Sequence, residues 1–355
     1  MLSALPLEKH TVITDRESYR MSELLNDNWH TEAILSLLKT KEIRKGAIET
    51  LLRTLLDESR NIPFPSNLEE LSEIIPIERT AKFEKKASKV PRNFTLDAGN
   101  TGAQEILRRS EEHEIQILDW FSDLFPVSLK QIPHPPIVLY ARGDTSLLKT
   151  INSIAVIGTR NPTEYGRDIS HRFGYRLGQK GIVVVGGLAK GCDTAAHRGC
   201  LDAGGHTLAI LANGLDSIYP HTNANLAQDI INSKGCLLSE YEPGVKAAKY
   251  QFVERDRLQS GISKAVIVVE TGKEGGTMHT ATFATKQARD LRVVRFPQDK
   301  VTVEQQGGYA RLINEFKATP IDAENEDELD RFVAAVEQPT TIKGKNKNQT
   351  SISDW

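Results

Sequence analysis

The sequence is poor in cysteine, and the three it has, Cys192, Cys200 and Cys236, form no CxxC pair. An odd, scattered set of thiols argues against a disulfide framework or a cysteine-based zinc site, and fits reduced thiols in a cytoplasmic protein. Nowhere do about eighteen apolar residues run together, so no helix is expected to span a membrane. The opening stretch, MLSALPLEKHTVITDRE, has neither the basic start nor the apolar run of a signal peptide. An excess of charge is also missing: 45 basic residues face 47 acidic ones, a formal net charge of −2 over 355 residues. That differs from a strongly basic nucleic-acid binder. The balance is uneven along the chain, however. Residues 151–300 carry 19 Lys and Arg against 14 Asp and Glu, a local excess of +5, which leaves about −7 elsewhere. A mildly basic segment inside an acidic chain leaves room for a local basic groove.

What is present is organised in blocks. The length suggests two or three domains. Residues 1–97 read as a helical accessory region and linker. Apolar residues in 31–57 recur at helical spacing, with a break near Gly46. Pro63, Pro65, Pro76, Pro91 and the charge run from Lys82 to Lys89 mark 61–97 as a linker with one short helix. Residues 98–300 change character. AQEILRRSEEHEIQILDWF reads as an amphipathic helix passing into a strand, and a proline-rich connector leads to a strand in IVLYARG. Short β-branched runs at 154–157, 182–185, 206–212, 236–239, 265–269 and 292–296 then alternate with helical sequence. That alternation predicts an α/β fold, a Rossmann-like, doubly wound, mostly parallel sheet covered on both faces. Residues 301–338 read as a helical extension, with helices over 309–316 and 325–336. Residues 339–355 read as a polar, disordered tail.

In such a sheet, ligands lie outside the carboxyl ends of the strands. The loops there are rich in glycine. Gly158, Thr159 and Arg160 follow the first run, ahead of Tyr165 and a helix over 163–180 whose first N–H groups could face an anion. Gly186, Gly187, Lys190 and Gly191 follow the second, as a nest of backbone donors with one cation beside it. Asp193 reads as a helix cap, and His197, one turn on, as structural more readily than catalytic. Gly275, Gly276 and Thr277 open a further helix. Arg255 and Arg257, two apart, share no helix face, but on an irregular turn they would reach adjacent phosphates. Asn213, Asn223, Glu240 and Glu270 complete a possible pocket wall. The GxGxxG dinucleotide fingerprint is missing, and no acidic residue follows the second strand to hold a ribose. No hydride-transfer cofactor is therefore expected, and no metal.

The ordered set GTR–x4–YG, GGLAKGCDTAAH, GLDSIYPHTN, SEYEPG, FVERDRLQSGIS and VVETGKEGGTMHTA resembles the DNA-processing protein A (DprA, also Smf) family over about residues 105–300. The resemblance implies an extended Rossmann domain that binds single-stranded DNA without catalysis, helps load a RecA-type recombinase and forms a homodimer. It implies DNA-binding roles for Arg160, Lys190, Arg255 and Arg257. The sequence departs from the family pattern where Asp256 lies between two arginines and where Gly275-Gly276-Thr277-Met278 replaces Ser-Gly-Ser-Leu. Those departures leave room for a divergent member, for example one acting in a mobile-element or antiphage system. The second reading is a nucleotide sensor or nucleoside-monophosphate hydrolase, for which Glu240 and Glu270 are the placed carboxylates.

Overall fold

Short runs of valine, isoleucine and leucine form strands where both faces of the run are covered. In the computed structural model, which describes residues 29–39, 48–49, 53, 101–149, 152–300, 302–322 and 324–337, nine strands make one sheet. They are β1 (Gln116–Asp119), β2 (Val138–Gly143), β3 (Ser153–Ile157), β4 (Val183–Gly186), β5 (Thr207–Leu211), β6 (Cys236–Ser239), β7 (Ala265–Val268), β8 (Asp290–Arg295) and β9 (Thr319–Asp322). Every residue of β3 to β7 is buried. The spatial order is β1-β2-β6-β5-β4-β3-β7-β8-β9. From β6 to β9 each neighbouring pair is parallel, while β2 runs antiparallel to β6, with Tyr140 opposite Ser239. The expected doubly wound sheet is therefore present, and its order reverses between β3 and β7.

β9 lies in the stretch read as a helical extension. Its sequence, TPID, looks like a breaker because of Pro320. The strand sits at the end of the sheet order, paired only with β8. An edge strand tolerates a residue without an N–H.

The helices are α1 (Trp29–Lys39), α2 (Thr101–Glu112), α3 (Val127–Lys130), α4 (Glu164–Gln179), α5 (Cys192–Asp202), α6 (Ala224–Asn232), α7 (Lys249–Ile262), α8 (Gly276–Lys286), α9 (Val303–Asn314) and α10 (Glu326–Glu337). None is long and apolar enough to cross a membrane. The chain divides into two compact units, residues 1–108 with Asp119–Phe121, and Arg109–Leu118 with residues 122–355. In the first, α1 buries Ala33, Ile34, Leu35 and Leu37, and the Arg53 guanidinium lies 5.0 Å over Trp120. The expected linker at 61–97 and tail at 339–355 lie outside the described residues, as does most of the expected second helix near residue 50.

In the second unit, α4 and α5 pack on each other and against β3 and β4, while α8 packs on α7 and against β7 and β8. One apolar cluster joins Ile154, Val156 and Val184 of the sheet to Ile169 and Phe173 of α4, Ala196 of α5 and Phe332 of α10. The α4–α5 crossing is close because glycine faces backbone on both sides. A Cβ on Gly174 would lie 2.0 Å from Ala196 O, and one on Gly199 would lie 2.0 Å from His171 O. That contact fixes how near the polar edges of the two helices can come.

Arg255 and Arg257 are not on an irregular turn; both lie within α7. The segment hides its helix because its second half, from Arg255 through Ser263, is wholly buried. A stretch of helix covered all round carries no apolar stripe to read.

Candidate nucleic-acid interface

The loops at the carboxyl ends of β3, β4 and β5 converge with the first turns of α4 and α5. Together they line an open groove of about 720 Å³. Arg160 and Lys190, both expected from sequence, meet there. Arg167 and His171 from α4 and Arg198 from α5 join them, and the sequence reading missed these three. Arg167 and His171 are four apart on the exposed side of α4, a spacing that could have revealed them. Arg198 is held by Asp229 at 2.5 Å and His171 by Asp202 at 2.7 Å. Arg160, Arg167 and Lys190 form no ion pair among the described residues, although the charge of Arg160 also acts on the buried Asp193 and Asp256. Among the described residues, Asp168 is the one acidic side chain lining the groove.

Arg160 also connects the groove to aromatic surface. Its guanidinium lies 5.2 Å over the Phe252 ring, and Phe252 packs 5.4 Å from Tyr219. Tyr219 is 48% exposed. A cation beside an exposed ring provides both a phosphate partner and a face on which bases stack.

The glycine loops themselves work differently from the expectation. The donor nest after β4 is filled by the protein's own carboxylate. Asp193 accepts from Gly187 N at 2.6 Å and from the Ala189 N–H. It therefore closes the loop from inside the first turn of α5 and is not the cap, which is Gly191. Gly191, at a φ of 81°, brings its backbone against Thr159 O. Gly186 and Gly187 are buried; a Cβ on Gly187 would lie 1.9 Å from Arg255 Nη1. Their smallness thus admits side chains from beneath and leaves no opening for a phosphate.

The same substitution occurs at the start of α4. Glu270 accepts from Thr163 N at 3.1 Å and from Thr163 Oγ1 at 2.9 Å. A carboxylate thus holds the helix pole that was expected to face a ligand. Thr163 itself caps the helix through Gly166 N at 3.0 Å. The Thr159 N–H points inward, to Glu270 O at 2.7 Å. Gly158 is packed so closely that a Cβ would lie 2.5 Å from Cys192 Sγ. Tyr165 points away from the groove, with its hydroxyl on Glu324 at 3.0 Å and its ring 5.0 Å from Phe296.

Arg255 and Arg257 lie under the loops, 5% and 3% exposed. Arg255 donates to Ile210 O and pairs with Asp256 at 3.2 Å. Arg257 binds His134 O at 2.9 Å, Glu254 O at 3.1 Å and Glu240 at 2.6 Å. Against the expectation, neither guanidinium is open to a phosphate in this structure: both are buried in internal bonds. Burial pushes the Asp256 carboxyl up to about 7, with Arg255 pulling it back. Burial, aided by Arg255, pushes the His197 imidazole down to about 3. Thr207 Oγ1 donates to Val184 O, so it accepts from His197 Nδ1 at 2.5 Å. That bonding leaves the bare His197 Nε2 against Gly186, without a partner.

Asn223 Nδ2 ties Leu188 O at 2.8 Å to Thr194 Oγ1 at 2.9 Å, and Asn213 Nδ2 binds Ser217 O at 2.8 Å. Both asparagines shape loops. Gly275, Gly276 and Thr277 open α8, with both glycines exposed, but they do not line the groove. Among the described residues, no group of three or more His, Cys, Asp and Glu side chains is placed to hold a metal.

Comparison with known proteins agrees with this architecture. The family model for DNA recombination-mediator protein A matches residues 116–332. DNA processing protein DprA of Bacillus subtilis is 38% identical over 189 residues, covering 53% of this chain and 63% of that one. Protein Smf of Synechocystis is 35% identical over 195 residues, covering 54% and 49%. The match thus spans about half to 63% of the length of these relatives. The solved structure of DNA processing protein A from Helicobacter pylori, a protein studied for its single-stranded DNA binding mode, aligns with a TM-score of 0.54 at 30% identity, over 63% of this chain and 95% of that one. The DprA structure from Streptococcus pneumoniae aligns with a TM-score of 0.59 at 26% identity, over 87% and 95%. With the family model covering more than half of the chain, this chain belongs to the DNA recombination-mediator protein A family.

Proposed function

We propose that the chain binds single-stranded DNA along the groove between α4 and α5, in the service of DNA recombination, and does so without catalysis. The observation that carries this reading is the convergence of Arg160, Arg167 and Lys190, none of them in an ion pair among the described residues, on one groove beside the exposed Tyr219 and the Arg160–Phe252 stack. Phosphates meet the cations, and bases meet the rings. Backbone contacts carry no sequence information, so preference among sequences is weak. A duplex hides its base faces and gains nothing from the aromatic surface. The relative from Helicobacter pylori, with its single-stranded DNA binding mode, supports the same choice of polymer. Glu240 is engaged by Arg257, and Glu270 by Thr163 and Gln305, which favours a binding role over hydrolysis. Loading of a RecA-type recombinase and homodimer formation belong to the same proposal, carried by family membership.

The test is competition. A labelled oligo(dT) of ~30 nucleotides is bound at low salt and challenged with unlabelled single strands or with duplex of equal length. Single strands displace the probe at far lower concentration than duplex, and an Arg160→Glu/Lys190→Glu variant binds neither. Equal displacement by duplex would remove the single-strand reading. Release of free base from a nucleoside monophosphate, abolished by Glu270→Gln, would replace it with the hydrolase.

A further inference from the structure

A second cavity, of about 620 Å³, lies beyond the carboxyl ends of β7 and β8, where α9 forms its outer wall. It sits beside the point at which the strand order reverses, the place where open α/β sheets take ligands. None of its lining residues lines the basic groove. Its size falls in the range of small-ligand sites.

The lining has a definite chemistry. The floor is apolar, formed by the buried Val269 and Val294. Around the opening stand Arg295, Gln298, Gln306 and Tyr309. None of these four side chains has a hydrogen-bond or ion-pair partner among the described residues. Glu270, also in the wall, is already engaged by Thr163 and by Gln305. A free guanidinium suits an anionic oxygen cluster. Two free carboxamides, each both donor and acceptor, suit the edge of a heteroaromatic ring. The valine floor and the Phe296 and Tyr309 rings suit its flat faces. The charge count limits the anion: one cation, Arg295, faces a cavity that also contains the Glu270 carboxylate. One phosphate is accommodated there better than a diphosphate or triphosphate.

We infer that this cavity binds a free nucleoside monophosphate, with the phosphate at Arg295 and the base among Gln298, Gln306 and Tyr309. The site is separate from the DNA groove and does not depend on its assignment.

The experiment is calorimetric titration of the full chain with each ribo- and deoxyribonucleoside monophosphate, and with inorganic phosphate. The expected result is saturable binding of at least one monophosphate, weakened at least tenfold by Arg295→Glu and unchanged by Arg160→Glu/Lys190→Glu. Arg295 is exposed, so its substitution leaves the fold intact, which circular dichroism checks. A Gln298→Ala/Gln306→Ala variant keeps the cation and is expected to lose the preference among bases. Three results overturn the inference: no saturable binding, inorganic phosphate binding as tightly as any monophosphate, or a monophosphate lost in the Arg160 variant but kept in Arg295→Glu. The last would place the ligand in the DNA groove.

Discussion

Removing Lys190 should change the salt dependence of DNA binding by a calculable amount. Three groove cations form no ion pair among the described residues: Arg160, Arg167 and Lys190. Arg198 is excluded from the count because Asp229 already holds it at 2.5 Å. Each phosphate neutralised on a single strand contributes about −0.7 to the slope of log K against log salt. The slope expected for the native chain is therefore about −2.1, and raising salt from about 50 to about 200 mM weakens binding about eighteen-fold. With Lys190→Ala the slope becomes about −1.4 and the same change in salt costs about sevenfold. With Arg160→Ala added, the slope falls to about −0.7. Fluorescence anisotropy of a labelled oligo(dT) across a potassium chloride series measures all three slopes. Arg257→Gln is the control, because that guanidinium is only 3% exposed and bound to Glu240. It should leave the slope where it was. A slope indifferent to Lys190 and Arg160, or one that Arg257→Gln changes as much, refutes the placement of the strand.

The aromatic surface gives a complementary signature: Tyr219→Ala should weaken oligo(dT) binding by about 1 kcal/mol or more with no change in salt slope, and an unchanged affinity removes Tyr219 from the interface. Glu240→Gln leaves the Arg257 charge buried and unpaired, at a cost of about 3 kcal/mol or more in stability, read as a lower urea midpoint; a midpoint within error of the native one counts against the pair. The buried cluster under the loops sets a pH dependence. Asp256, raised from 3.8 to about 7, contributes stability that is complete below its ordinary value and lost as pH rises through 7. His197, lowered from 6.5 to about 3, contributes stability that is complete above 6.5 and lost as pH falls toward 3. The two oppose each other in between. Asp256→Asn removes the opposing contribution of that carboxyl, so stability should fall more steeply than in the native chain as pH drops from about 7 to about 4. Urea unfolding at a series of pH values tests this, and parallel curves would sink it.

The sheet was legible in the sequence because its strands are covered on both faces and read as unbroken apolar runs. β9 was not, because a proline at a sheet edge looks like a turn. In the groove, Arg160 and Lys190 were legible from their places just after apolar runs. Arg167 and Arg198 were not singled out, since α4 and α5 carry charges on several exposed positions and only the glycine-lined crossing decides which of them converge. Arg255 and Arg257 misled for the opposite reason. Their spacing resembled a phosphate clamp, but their bonds run to Ile210 O, His134 O and Glu240, partners remote in the chain. The roles of Asp193 and Glu270 were equally hidden, because a carboxylate that fills a loop is indistinguishable in sequence from one that caps a helix.

Those two carboxylates have a consequence for selectivity. A cell holds a large pool of mononucleotides, and any exposed cluster of backbone donors is in competition for their phosphates. In this chain Asp193 and Glu270 act as resident decoys, permanently covering the donor clusters after β4 and at the start of α4. No single phosphate reaches those backbone donors. Under the proposed reading, affinity along the groove then comes from Arg160 and Lys190 on two loops, Arg167 on α4 and the aromatic surface beside them, which a polymer engages together and a monomer does not. Discrimination between strand and nucleotide is in this way a property of what the loops refuse.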